Sequence, residues 1–188
     1  TIGFAPYGHL WRNLRRFTTL EIVSTAKLNM SMGIRNEETR SLVKSLYQLQ
    51  SPTRNFVKVE MKSRVSDLSF NIIMRMVAGK RYFGDGVEDT GEAMKFKEII
   101  RDIFELSEAS NPGDFIPILK WIDFKGFEKK LIVLKEREDS FLQRLIDEHR
   151  NRTGGETKTM IDSMLALQEA EPENYSDEII KGIIVVYV

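Results

Sequence analysis

No cysteine occurs among the 188 residues. Disulfides, zinc ribbons, iron–sulfur clusters and thiol nucleophiles are therefore excluded within this chain. Histidine is nearly as scarce: His9 and His149 are the two, and they stand too far apart for metal-ligand spacing. Neither sign of charge is in excess, with 28 Lys+Arg against 28 Asp+Glu. That balance argues against a dedicated nucleic-acid binder. No basic segment followed by an apolar run opens the chain, so no signal peptide is visible. No apolar stretch reaches the length of a membrane span, and no internal repeat or low-complexity tract is evident. Gly84-Asp85-Gly86 lacks the later glycine and the Lys-Ser/Thr of a phosphate-binding loop.

What remains is an ordinary globular balance, 41% hydrophobic and 30% charged, in a chain long enough for one domain with a core. We read residues 1–188 as one incomplete domain with no second domain. The chain begins at Thr1 and ends inside the apolar run Ile183–Val188, so both ends are expected to be cuts in a longer protein.

The architecture is expected to be mainly α. Pro6-Tyr7-Gly8 reads as a turn, and a helix follows from about Leu10 to Thr19. A second helix begins near Glu37 and stops before Ser51-Pro52. Phe56–Met61 alternates apolar and polar, the pattern of a short strand. In Lys62–Gly79, one stripe runs through Val65, Leu68, Ile72 and Met76 and another through Phe70, Ile73, Met74 and Val77. Both faces of that helix are therefore expected to be buried, with Gly79 as its cap. Tyr82–Gly91 reads as a loop, and helical spacing returns over 92–109. Asp114–Trp121 is a proline-containing connector. Phe127, Leu131, Leu134, Phe141 and Leu145 mark a long helix over 124–150, and Met160–Leu167 a short one. Ser176, followed by Asp177 and Glu178, is a good start for a last helix.

The chemistry concentrates near the start. Trp11 and Arg15 are four residues apart and share a helix face. Indole N–H and guanidinium are donors only, and a planar carboxylate suits Arg especially well. The bland alternative is a cation–π staple. Arg12 and Arg16 form a second such pair turned about 100° away. No acid precedes Glu21, so the helix suits an acidic partner or simply carries solvated charge. His9 reads as a turn residue and His149 as a solvated helix residue. Runs such as Lys135–Asp139 read as a surface helix face.

Phe4-Ala5-Pro6-Tyr7-Gly8 followed by Trp11-Arg12-x-x-Arg15-Arg16 closely resembles the opening of helix C in plant microsomal cytochrome P450 enzymes. Further resemblances follow in order. Asp114–Asp123 is similar to the connector between that family's helices F and G, Met160–Leu165 to helix H, and Ser176–Gly182 to the start of helix I. The likeness is nearest to the isoflavone- and flavonoid-hydroxylase group.

The resemblance implies a partial cytochrome P450 fold, from helix C to the beginning of helix I. It implies a haem monooxygenase acting on a small lipophilic, phenolic plant metabolite, with electrons from an NADPH-dependent reductase. It also implies a place on the cytosolic face of the endoplasmic reticulum membrane, through an N-terminal anchor. By position, Trp11 and Arg15 would hydrogen-bond a haem propionate, and Arg12 and Arg16 would lie toward the reductase. Leu106, Ala109, Ser110 and Phe115 fall where the family roofs its substrate cavity, although core packing explains the apolar ones equally well. The family's iron-ligating Cys is absent here, so this stretch alone is expected to be inactive, with no catalytic or metal-ligating residue of its own. An all-α interaction module, with Trp11 and Arg15 merely structural, is the competing reading.

Overall fold

A computed structural model describes residues 5–49, 57–84, 90–108, 126–152 and 159–187. Its helices are α1 (His9–Phe17), α2 (Thr25–Met30), α3 (Met32–Gln48), α4 (Met61–Ala78), α5 (Thr90–Glu108), α6 (Phe127–Arg150), α7 (Met160–Ala170) and α8 (Asp177–Tyr187). A single wider π turn, Thr18–Ile22, extends α1. The mainly α expectation holds.

The strand expected over Phe56–Met61 is not formed. Residues 57–60 have no regular structure, and Met61 opens α4 directly. Alternation alone does not make a strand: a strand needs a ladder partner for its backbone groups, and the described residues contain no strand to pair with. Phe56 lies outside the described residues. The helix expected from Glu37 starts earlier, at Met32, and a short α2 precedes it. Gly33 and Asn36 weaken the helical pattern there. Ser31 joins the two helices, its hydroxyl donating to the Lys27 carbonyl at 2.7 Å.

α4 packs against α3 and α7, α5 against α6, and α6 against α7 and α8. Met74, Phe96, Leu145, Ile146, Met164 and Ile180 are fully buried where these helices meet. Burying each such side chain contributes roughly 1.5–3 kcal/mol. Phe96 of α5 and Phe141 of α6 stack with ring centroids 4.0 Å apart and planes 9° from parallel.

α4 is not buried on both sides, as its two stripes suggested. Phe70, Met74 and Val77 are in the core, but Val65 is exposed and Leu68, Ile72 and Met76 are half-buried. α3 and α7 cover one side of α4, and Met76 opens onto a cleft shared with Ile34 and Met160. The expected cap is present. Gly79 has φ of 67°, and its N–H donates to the Arg75 carbonyl at 3.0 Å. A Cβ there would meet Thr159 Cγ2 at 3.2 Å. Thr159 caps α7: its hydroxyl accepts from Asp162 N–H at 3.2 Å, while the Asp162 carboxylate accepts from Thr159 N–H at 2.8 Å. The end of one helix thus rests on the start of another.

Among the described residues, no helix is long and apolar enough to cross a membrane.

Candidate functional site

α1 is fixed by two side chains. Leu14 and Phe17 are buried, and the Phe17 ring meets Tyr175 edge-on at 6.4 Å. At about 100° per residue, Trp11 lies at the edge of that buried face and Arg15 one step further out. Arg12 points away from it, and Arg16 flanks it on the side opposite Arg15. Exposure follows this geometry: Trp11 is half-buried, while Arg12, Arg15 and Arg16 are exposed.

Of the two expected pairs, Trp11 and Arg15 are brought together as a ring and a cation, whereas Arg12 of the second pair meets a ring, that of Tyr7. The Arg15 guanidinium carbon lies 5.2 Å from the Trp11 ring centroid. Tyr7 adds a contact the sequence reading did not assign. Its ring is 5.3 Å from Trp11, and the Arg12 guanidinium carbon is 5.4 Å from its centroid.

Among the described residues, no acceptor meets the Trp11 indole N–H, and no carboxylate pairs with Arg12, Arg15 or Arg16. The first acid along the chain, Glu21, is engaged with Lys27 at 2.9 Å. Three exposed arginines on one helix without a carboxylate partner among the described residues leave a basic surface. A haem propionate fits this donor set: it is anionic, planar and acceptor-only. No thiolate stands beside this donor face. The sequence has no Cys, and no group of three or more His, Asp or Glu among the described residues is placed to hold a metal.

Leu106, on the last turn of α5, is half-buried against the core and lines a groove with Leu134 and Val133 of α6. Ala109, Ser110 and Phe115 lie outside the described residues, as does the connector that would carry Phe115. Leu106 is therefore not joined to Trp11 and Arg15 in any described site.

His149 is corrected. It is not solvated but 6% exposed, with Nδ1 2.7 Å from the Leu145 carbonyl. Its place on α6 turns it inward beside Leu145 and Ile146, and flanking charges in the sequence hid that.

A second polar cluster went unread. Glu38 of α3, only 3% exposed, accepts from Arg75 at 2.8 Å, Arg81 at 3.1 Å and Asn71 at 3.1 Å. Asn71 Oδ1 in turn accepts the backbone N–H groups of Tyr82 and Phe83 at 3.0 and 2.9 Å. Burial works against the Arg75 charge, but Glu37 and Glu38 outweigh it and its pKa is raised. These partners are 33 to 43 residues apart, so no local spacing could announce them. The cluster locks α3 to α4 and to the turn after it.

At the other end, Asp177 accepts from Arg150 at 2.9 and 2.5 Å, Gln168 at 2.9 Å and Gln143 at 3.1 Å. The Arg150 hydrogen bond is the main reason its carboxyl is held well below the usual carboxylate range.

Comparison with known proteins bears on the family. The cytochrome P450 family profile matches residues 2–187. The chain is 54% identical over 186 residues to cytochrome P450 81Q32 of Catharanthus roseus, covering 99% of this chain and 36% of that protein. It is 44% identical over 191 residues to the isoflavone 3'-hydroxylase of Medicago truncatula, covering 98% of this chain and 38% of the relative. It is 42% identical over 185 residues to the isoflavone 2'-hydroxylase of Glycyrrhiza echinata, covering 97% and 36%. The chain spans little more than a third of the length of these relatives. A profile match along almost the whole chain, with helices where the sequence motifs require them, makes this chain a member of the cytochrome P450 family.

Proposed function

We propose that residues 1–188 are one incomplete domain, helix C to the beginning of helix I, of a haem-thiolate monooxygenase that hydroxylates a small lipophilic, phenolic plant metabolite. The observation that carries this reading is the donor face of α1. The Trp11 indole and the Arg15 guanidinium have no acceptor among the described residues, in a chain whose family binds haem. A bound haem with its thiolate ligand supplies O₂ activation and insertion of one oxygen atom. In this reading, Trp11 and Arg15 hold one propionate and so fix the edge of the macrocycle. Arg12 and Arg16 offer a solvent-facing positive surface to an NADPH–cytochrome P450 reductase. Leu106, with Ala109, Ser110 and Phe115, contributes to the roof of the substrate cavity. The thiolate must come from outside these 188 residues, so this stretch alone is expected to be inactive. In the same reading, the parent protein sits on the cytosolic face of the endoplasmic reticulum membrane, held by an N-terminal anchor.

The rival reading, an all-α interaction module, has one observation in its favour: Arg15 over Trp11 at 5.2 Å is also the geometry of a plain surface staple. Substituting Trp11→Ala and Arg15→Ala in the full-length protein separates the two. The proposal expects a reduced haem-to-protein ratio after purification. Unchanged haem retention in both variants would leave the staple as the better account.

A further inference from the structure

Gly8 is the N-cap of α1. Tyr7 is therefore the residue just before the cap, Trp11 the third helical residue and Arg12 the fourth. A side chain before the cap commonly packs on the fourth helical residue and fixes the angle at which the chain enters the helix. Here that contact is a cation over a ring: the Arg12 guanidinium carbon is 5.4 Å from the Tyr7 centroid. The same ring lies 5.3 Å from Trp11, at 48° to it. Trp11 carries Arg15 at 5.2 Å. The result is a continuous ladder, Arg12–Tyr7–Trp11–Arg15, which joins the partner-facing side of α1 to its donor clamp.

Burial does not hold Tyr7 in place, since its side chain is 77% exposed. Its hydroxyl has no hydrogen-bond partner among the described residues, so the ring face makes the contacts. An exposed arginine and a half-buried tryptophan each have several rotamers to lose. A ring in contact with both narrows those choices.

We propose that Tyr7 is a positioning residue. Its ring sets the Trp11 indole for the propionate and the Arg12 guanidinium for the reductase. The proposal rests on the reading of Trp11 and Arg15 as a propionate clamp.

The test uses the full-length protein that contains this chain, with Tyr7→Ala, Tyr7→Leu, Tyr7→Phe, Trp11→Ala and Arg12→Ala. Three quantities are read: the rate of haem transfer to apomyoglobin, the haem midpoint potential, and KM for reductase separately from kcat. Loss of one aromatic or cation–π contact predicts haem transfer about threefold to tenfold faster in Tyr7→Ala and Tyr7→Leu. The potential should shift in the direction Trp11→Ala shifts it, and KM for reductase should rise as in Arg12→Ala. Tyr7→Phe should restore all three. If Trp11→Ala loses haem quickly while Tyr7→Ala and Tyr7→Leu do not, the positioning role is wrong and the clamp stands. If Trp11→Ala itself behaves as wild type, the clamp reading has failed. An effect of Tyr7→Leu confined to thermal stability, with potential and KM unmoved, also overturns the proposal.

Discussion

Asp177 offers a direct test of what holds the start of α8. Replacing it with Asn removes the charge and one of two acceptor oxygens while keeping the size. Four hydrogen bonds converge on the carboxylate, two from Arg150 and one each from Gln168 and Gln143. Hydrogen bonds to a charged group are worth about 1.5–3 kcal/mol when well shielded. Arg150, however, retains 38% side-chain exposure, so its pair is discounted to about 1 kcal/mol for solvent screening. Each amide contact, weakened rather than lost, contributes about 0.5 kcal/mol. The expected destabilisation is therefore about 2 kcal/mol, measured by urea denaturation of the full-length protein followed by circular dichroism.

The pH dependence is part of the same prediction. The folded-state pKa of Asp177 is depressed. Its contribution is present above the unfolded value, about 3.9, and is lost only as pH falls below that toward the folded value. The gap between wild type and Asp177→Asn should thus be constant from pH 6 to 8. A gap under about 0.5 kcal/mol at pH 7, or one that closes between pH 8 and 6, would refute the reasoning.

Glu38→Ala should cost about 3 kcal/mol, because it leaves two arginines and an amide without their shared acceptor. That is the low end for a broken buried pair, since Arg75 and Arg81 keep 24% and 29% exposure; Glu38→Gln, retaining one acceptor, should cost less, and equal losses in urea midpoint would contradict the charge argument. Phe96→Ala empties a fully buried site stacked on Phe141 and should cost about 3–5 kcal/mol. A loss below 1 kcal/mol in the same denaturation assay would mean that α5 and α6 do not depend on that stack.

What could be read from the sequence divides by range. The Gly79 cap, the apolar spacing of α5 and α6 and the acidic first turn of α8 are properties of a few neighbouring residues, and each was legible. So was the donor character of Trp11 and Arg15, which belongs to the side chains themselves. Most of the differences depend on a partner outside the immediate neighbourhood. Phe56–Met61 had the alternation of a strand, but pairing depends on another segment. His149 sits between charged neighbours, yet the helix turns it toward Leu145 and Ile146. Nothing in the residues near Glu38 marks it, because Arg75, Asn71 and Arg81 come from α4 and the turn after it. Tyr7 was read as a turn residue because its two contacts appear only once α1 winds Trp11 and Arg12 back over it.

The donor face of α1 and the start of α8 are parts of one assembly. α1 meets the rest of the chain through Phe17, whose ring faces Tyr175. Tyr175 is buried, and that burial is the main cause of its raised pKa. Its carbonyl accepts from Gln168 Nε2 at 2.8 Å, and the same amide nitrogen donates to Asp177 at 2.9 Å. One amide group therefore ties the segment under α1 to the carboxylate that anchors α8 to α6. Because Leu14 and Phe17 are the buried side chains of α1, the direction of its donor face depends on where Tyr175 lies. The position of Tyr175 depends in turn on Gln168 and Asp177. In the proposed reading, helix C holds the haem edge and helix I begins here. A fixed link between their supports means that, in this reading, the distance between donor face and helix I is set by packing and hydrogen bonds within this chain.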